Sequence, residues 1–268
     1  MNTMRILFVG DIVGTPGVEI VKAAVPVLRE RERLDCIVVN AENASGGSGI
    51  TPNVYRQLKA AGVDAFTLGD HIYKKFDIAD VLAKPTEPIC KPANYPAEAP
   101  GRDHVIVVTA SGVSVAVISL MGRTYMRPVD CPFAAIDRVL AELSADVKTI
   151  LVDVHAEATA DKYQLGYYLD GRVSAVLGTH THVPTADERI LPKGTAFQCD
   201  VGMTGPYESV LGRRSDRVIQ TARTFIPTAF DVATGDVRLA GAIVDIDETT
   251  GHATAIRRAM YTLADLKN

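Results

Sequence analysis

Leu177-Gly178-Thr179-His180-Thr181-His182 closes a short apolar run, Val173 to Leu177, and ends in two imidazoles spaced i and i+2. On an extended backbone such residues point to the same side, so both rings are expected to converge on one cation. A histidine pair alone is weak evidence, because core and surface histidines are common. Other apolar runs end in a similar way. Ile6-Leu7-Phe8-Val9 leads into Gly10-Asp11, and Cys36-Ile37-Val38-Val39 into Asn40-Ala41-Glu42-Asn43. Ala65-Phe66-Thr67-Leu68 reaches Gly69-Asp70-His71, and Thr149-Ile150-Leu151-Val152 reaches Asp153-Val154-His155. Strand after strand thus delivers Asp, Glu, Asn or His just past its end, which a core built only for stability does not require.

Between these runs the pattern is helical. Ile20, Val21, Ala24, Val27 and Leu28 predict a helix over Val18 to Arg31. Thr51-Pro52 reads as an N-cap followed by Pro at the first helical position, with Gly62 to end that helix. Asp77 to Leu82 predicts a shorter helix, Cys131-Pro132 opens another, and Thr159 to Leu169 a further one. His104 to Val108 and Val113 to Ser119 flank Ala110-Ser111-Gly112 as a hairpin. Beyond Pro184 only strands and turns are expected, ending in a long hairpin of Val237 to Ile246 and Ala253 to Tyr261. No repeat, low-complexity tract or linker divides the chain, so residues 1–268 are expected to form one α/β domain. Its fold class is two mixed β-sheets packed face to face and flanked by helices, with the polar strand ends gathered at one edge.

Composition narrows the function. The 268 residues are 47% hydrophobic and 22% charged, ordinary for a globular protein with a substantial core. The formal charge of −4, with no Lys/Arg-rich block, argues against a general nucleic-acid-binding surface. A negative protein that handles phosphate needs local positive charge, and bound metal is one source. Cys36, Cys90, Cys131 and Cys199 are widely spaced with no CxxC pattern, and Cys36 reads as a small core residue. With no signal peptide and no bilayer-length apolar run, a cytoplasmic protein without a membrane anchor is expected.

Asp11, Glu42, Asn43, Asp70, His155, His180 and His182 supply carboxylate, amide and imidazole donors without thiolate. That set suits Mn²⁺, Fe or Zn²⁺. Seven ligands exceed the needs of one ion that keeps a position open for water. Two ions about 3.5–4 Å apart use them fully, acidify a bridging water and hold both oxygens of an in-line displacement at phosphorus. The bland alternatives are a helix cap for Asp11, loop polars for Glu42 and Asn43, and a satisfied core residue for His155. Gly46, Gly47 and Gly49 beside the Glu42-Asn43 pair favour a site that needs close backbone approach. Asp153 reads equally as support for a ligand or as a cap, and Arg123 as a phosphate contact or a solvated side chain. No role is assigned to His104 or His252. Gly10 to Gly17 does not have the spacing of a dinucleotide loop.

These blocks resemble the calcineurin-like metallophosphoesterase superfamily: Gly10-Asp11, Gly69-Asp70-His71, His155 and Gly178-Thr179-His180-Thr181-His182. Within it the chain is similar to the YmdB-like branch of bacterial phosphodiesterases. The likeness lies in Val9 to Gly14, Asn40 to Gly47, Leu120 to Arg123, Val152 to Thr159 and Asp200 to Pro206. The resemblance implies a metallophosphoesterase-type αββα sandwich. It also implies that Glu42 bridges the metals, with Asp11, Asn43 and His182 on one ion and Asp70, His155 and His180 on the other. His71 resembles the catalytic histidine and is expected to act as general acid beside a metal-bridging hydroxide. The implied cofactor is a pair of divalent or mixed-valence ions, Fe or Mn first and Zn after them. The implied reaction is hydrolysis of 2′,3′-cyclic nucleotides to 3′-phosphates, with RNA ends as further candidate substrates. The chain departs from the pattern twice. Ile12-Val13 follow Asp11 where most of the superfamily has Asp-x-His, and Asp70 stands where the branch usually has Asn. A phosphomonoesterase and a regulatory metal-binding protein acting through a partner are the competing readings, and a homo-oligomer pairing through the C-terminal strands is a further expectation.

Overall fold

The computed structural model describes residues 3–267, and its architecture follows from how side chains alternate along the strands. The strands are β1 (Thr3–Val9), β2 (Cys36–Asn40), β3 (Ala65–Thr67), β4 (His104–Val108), β5 (Ser114–Met121), β6 (Thr149–His155) and β7 (Ala175–Thr179). They are followed by β8 (Arg189–Ile190), β9 (Ala196–Gln198), β10 (Gly205–Pro206), β11 (Val237–Asp247) and β12 (Ala253–Thr262). The helices are α1 (Gly14–Arg31), α2 (Pro52–Ala60), α3 (Ala79–Leu82), α4 (Pro132–Glu142), α5 (Thr159–Leu169) and α6 (Ser215–Thr224).

Two six-stranded mixed sheets result. In the first, β1, β2 and β3 run parallel, and β11 pairs antiparallel with β1 and β12. In the second, β5, β6, β7 and β9 run parallel, with β4 and β8 antiparallel at the two edges. Period-two alternation sorts the side chains into layers. Met4, Ile6, Phe8, Cys36, Val38, Leu151, Ala175 and Leu177 meet between the sheets. Leu7, Val9, Ile37 and Val39 face outward to Val21, Ala24, Val25 and Leu28 of α1. On the opposite side, Ile150, Val152 and Val154 pack against Ile136 and Val139 of α4 and Leu165 and Leu169 of α5. Each such fully buried aliphatic or aromatic side chain contributes about 1.5–3 kcal/mol of transfer free energy.

The expected αββα sandwich is therefore the observed one, and the parallel strands of both sheets end at the same edge. Local sequence sets the boundaries. Thr51 caps α2 by accepting the Val54 N–H at 3.4 Å, and Gly62 beyond its end adopts φ +106°. Helix α1 begins at Gly14, ahead of the expected Val18, because Gly14 takes φ +61° and turns the chain directly out of the Asp11 loop.

Two expectations are corrected. Helix α6 lies in the region read as strands and turns. It has no buried residue: Val218, Ile219 and Ala222 gather on one face but pack into no core, and so short a stripe among polar neighbours does not stand out in the sequence. His180 and His182 are not extended. They follow β7 with φ of +90° and +65°, so the same-side rule does not hold and their rings go to different places.

Gly178 is where β7 comes closest to the next segment. A Cβ there would sit 1.7 Å from the Cys199 carbonyl oxygen, a backbone atom with little room to move. Gly178→Ala is therefore expected to lower unfolding free energy by about 1–3 kcal/mol or more, measured by urea denaturation. Wild-type stability of that variant would contradict the packing described.

Candidate metal centre

Where the inter-sheet layer meets the C-terminal strand ends, the inward positions turn from apolar to polar. Asn40 continues the Cys36-Val38 parity, Thr67 that of Ala65, Asp153 and His155 that of Leu151, and Thr179 that of Leu177. All five are fully buried, so each must find a partner inside the protein. Asp153 is the hub. Its carboxylate accepts from Thr67 Oγ1 at 2.6 Å, Thr179 Oγ1 at 2.7 Å and Asn40 Nδ2 at 3.0 Å. Burial is the largest influence on this carboxyl and pushes its pKa up to about 6, against the hydrogen bonds that favour the charged form.

The hub fixes His155. Thr179 gives its only hydroxyl proton to Asp153, so it accepts from His155 Nδ1, 2.8 Å away. That leaves the Nε2 lone pair facing outward. Nε2 is 3.1 Å from Asp70 Oδ1, 3.3 Å from Glu42 Oε1 and 3.0 Å from His180 Nδ1. Glu42, Asp70, His155 and His180 each offer a donor atom within 4.8 Å of the others, a group able to hold a metal ion. Burial opposes charge on His155, yet Glu42 and Asp70 hold its pKa well above the ordinary value, so the surroundings call for positive charge at this point.

Asp11, Asn43 and His182 form a second group on the other side of Glu42. Asn43 Nδ2 is 3.1 Å from Glu42 Oε1 and 3.3 Å from His182 Nε2, and Asp11 Oδ1 is 3.7 Å from that same Nε2. Asp11 Oδ2 accepts the His180 N–H at 3.0 Å, but Oδ1 is buried with no hydrogen-bond partner among the described residues. An orphaned carboxylate oxygen beside an imidazole nitrogen and a buried Glu is a site that a cation completes. Sequence and structure thus bring together all seven candidate ligands, in two groups that share Glu42. His71 stands at their rim, with Nδ1 2.7 Å from Asn43 Oδ1 and Nε2 3.7 Å from Asp70 Oδ2. The His71 N–H donates to Glu42 Oε2 at 3.0 Å.

The His180-Thr181-His182 segment, with positive φ at both histidines, is held by a buried ion pair. Lys162 Nζ, from α5, donates to Asp200 Oδ2 at 2.8 Å and to Thr181 Oγ1 at 3.0 Å. Thr181 Oγ1 in turn donates to Asp200 Oδ2 at 2.5 Å. His182 Nδ1 donates to the Leu211 carbonyl at 3.2 Å, which turns Nε2 toward Asn43. His180 Nε2 lies 3.2 Å from Glu157 Oε2, leaving Nδ1 to face His155.

The supports Asn40, Thr67 and Thr179, the Lys162–Asp200 pair, Glu157 and Arg213 were not foreseen as parts of the site. The first three were findable as polar residues at positions where alternation calls for apolar ones; Arg213, far along the chain in a turn, left no such mark. Gly46, Gly47 and Gly49 take φ of +67°, +80° and +79°, so the loop after Asn43 does need glycine geometry. Arg123, read from the sequence as a phosphate contact or a solvated side chain, is exposed, and its backbone N–H donates to Asp161. A cavity of about 420 Å³, within the size range of small-molecule sites, opens over the cluster. Its walls include Glu42, Asn43, His71, His180, His182 and Arg213.

A model of the YmdB-like protein family matches residues 7–259. The 2′,3′-cyclic-nucleotide 2′-phosphodiesterase of Bacillus subtilis (strain 168) is 46% identical over 257 residues, spanning 96% of this chain and 97% of that protein. A hypothetical protein from Thermus thermophilus has a solved structure with TM-score 0.90 at 41% identity, over 96% of this chain and 99% of the other. A novel phosphatase from Mycoplasma pneumoniae gives TM-score 0.90 at 30% identity, over 100% of this chain and 98% of the other.

Removing the hub's charge tests its role. Asp153→Asn places an amide where three donors converge, freeing Thr179 and the His155 ring. Metal affinity is expected to fall by about 10–100-fold with the circular dichroism spectrum retained, measured by calorimetric titration with Mn²⁺. Unchanged affinity would remove Asp153 from the account.

Proposed function

The chain belongs to the YmdB-like protein family, and from that premise we propose that it hydrolyses 2′,3′-cyclic nucleotides to 3′-phosphates at a centre of two metal ions. The observation that carries this reading is the placement of Glu42, buried between two groups of donors with one carboxylate in reach of both. The relative from Bacillus subtilis named for this activity covers nearly the whole chain. Asp11, Asn43 and His182 would hold one ion, Asp70, His155 and His180 the other, and Glu42 would join them. Fe and Mn²⁺ match this oxygen- and nitrogen-rich set first, with Zn²⁺ next. Bound there, the ions would supply Lewis acidity and a water acidified enough to attack phosphorus near neutral pH.

The chain's own groups do the rest. Asn43 Oδ1, the one atom of that amide able to hold an ion, has two lone pairs, and one of them accepts the proton on His71 Nδ1 and fixes the ring at the cavity rim. With the ring carrying both protons, His71 Nε2–H would give its proton to the departing O2′ as the P–O2′ bond breaks, leaving a neutral ring whose Nδ1–H still donates to Asn43. The attacking water gives its oxygen to phosphorus and a proton to solvent, so that the 3′-phosphate and a free 2′-hydroxyl are released. Burial of Glu42, Asn43 and His155 keeps competing water from the donors and strengthens every charge interaction at the centre. No helix among the described residues is long and apolar enough to cross a membrane.

Two substitutions separate holding metal from moving protons. His71→Ala is expected to retain its metal and lose about 10²–10⁴-fold in turnover of 2′,3′-cyclic AMP. Glu42→Ala is expected to lose both metal and turnover. Elemental analysis paired with product chromatography reads both outcomes. Full turnover by His71→Ala would remove the general acid, and an aryl phosphomonoester hydrolysed faster than the cyclic nucleotide would replace the diesterase reading.

A further inference from the structure

Arg213 is the one Lys or Arg among the described residues that line the cavity over the metal centre. Its place is set by a tight turn. Val210 and Arg213 exchange backbone hydrogen bonds of 2.8 and 3.0 Å, and Leu211 and Gly212 between them have φ of +51° and +91°. The Leu211 carbonyl accepts from His182 Nδ1, so this turn is tied to the metal centre itself. The guanidinium lies over Gly47. A Cβ at Gly47 would stand 2.5 Å from one terminal nitrogen and 2.6 Å from Cζ, so a larger residue there would displace the guanidinium from this position.

The partners of that guanidinium are all neutral. One terminal nitrogen donates to the carbonyls of Gly46 at 3.1 Å and Phe230 at 2.8 Å, and the other donates to the Gly47 carbonyl. No carboxylate lies within ion-pair distance among the described residues, whereas Arg5, Arg138, Arg214, Arg238 and Arg258 each have one. Carbonyls take three of the five N–H donors, and the one carboxylate that acts on the charge, Asp231, does so from beyond ion-pair distance. The charge balance of the centre gives that cation a use. Asp11, Glu42, Asp70 and Glu157 border the centre with four carboxylates, and Asp153 lies directly behind His155, so the acids at least match the positive charge of two divalent ions. Such a centre offers an anionic substrate little net attraction, and Asp70, where the related branch usually has Asn, is part of the cause.

We propose that Arg213 is a substrate-binding residue, whose guanidinium takes an anionic phosphate oxygen of the nucleotide entering the cavity. The proposal rests on the phosphodiesterase reading above for the identity of the substrate, but phosphate recognition by Arg213 is testable without turnover. An arginine fork held by carbonyls is pre-organised for a phosphate oxygen and keeps its charge at every working pH. A lysine would keep the charge and lose the strap to Gly46, Gly47 and Phe230.

The test compares wild type, Arg213→Met and Arg213→Lys, each loaded with Mn²⁺, by calorimetric titration with inorganic phosphate. Metal content and melting temperature are measured on the same samples, with KM and kcat for 2′,3′-cyclic AMP. Arg213→Met is expected to bind phosphate about tenfold more weakly, with KM rising more than kcat falls and metal content retained. Arg213→Lys is expected to fall between Arg213→Met and wild type. Wild-type phosphate affinity in Arg213→Met would overturn the proposal. So would a lower melting temperature in both variants with phosphate affinity unchanged in their metal-loaded fraction, since Arg213 would then be a strap only. Were wild type to bind phosphate yet hydrolyse no diester, the reaction assigned above would fail while the titrations still decided the role of Arg213.

Discussion

The constraint on which this molecule turns is a group of acids gathered where two sheets end and hydrophobic packing leaves them nowhere to go. Asp11, Glu42 and Asp153 are buried, and Asp70 and the imidazoles of His155 and His180 press against them. Taking each ion out of water costs several kcal/mol after relaxation, and the layer of Phe8, Val38 and Leu177 beneath prevents retreat from the contact. Hydrogen bonds offset this at Asp153, which has three donors. They do not offset it at Asp11, whose Oδ1 has none. A cation between the carboxylates relieves that imbalance. The fold is thus a scaffold whose apolar interior is arranged to hold an anionic edge in place.

Support for that edge radiates outward in one direction. Asp153 sets Thr179, Thr179 sets the proton on His155, and His155 then presents a lone pair to Glu42 and Asp70. The two later histidines are set otherwise. They sit at positive φ on a backbone clamped by Lys162, Asp200 and Thr181, and each ring is turned by its own acceptor, Glu157 for His180 and the Leu211 carbonyl for His182. A strand end alone is too regular to send consecutive histidines to different groups; the distorted backbone makes that separation.

Much of this was legible in the sequence because it follows the pattern of buried strands. Short apolar runs in β1, β2, β6 and β7, buried on both faces, gave the strands, and the polar residues just past their ends gave the candidate ligands. The period of two failed where the backbone leaves the extended region, as at His180 and His182. Helical periodicity did not reveal α6, whose short face of Val218, Ile219 and Ala222 lies among polar residues and buries nothing. Arg213 was illegible for a different reason. Its partners are the carbonyls of Gly46, Gly47 and Phe230, and contacts to carbonyls leave no trace in side-chain chemistry.

The central claim is that Glu42 sits between two cations held by this one chain. Anomalous diffraction from crystals of protein purified without chelator and loaded with Mn²⁺ tests it directly. Two peaks about 3.5–4 Å apart, on either side of the Glu42 carboxylate, are the predicted result. A single peak, or two that do not share Glu42, would contradict the account.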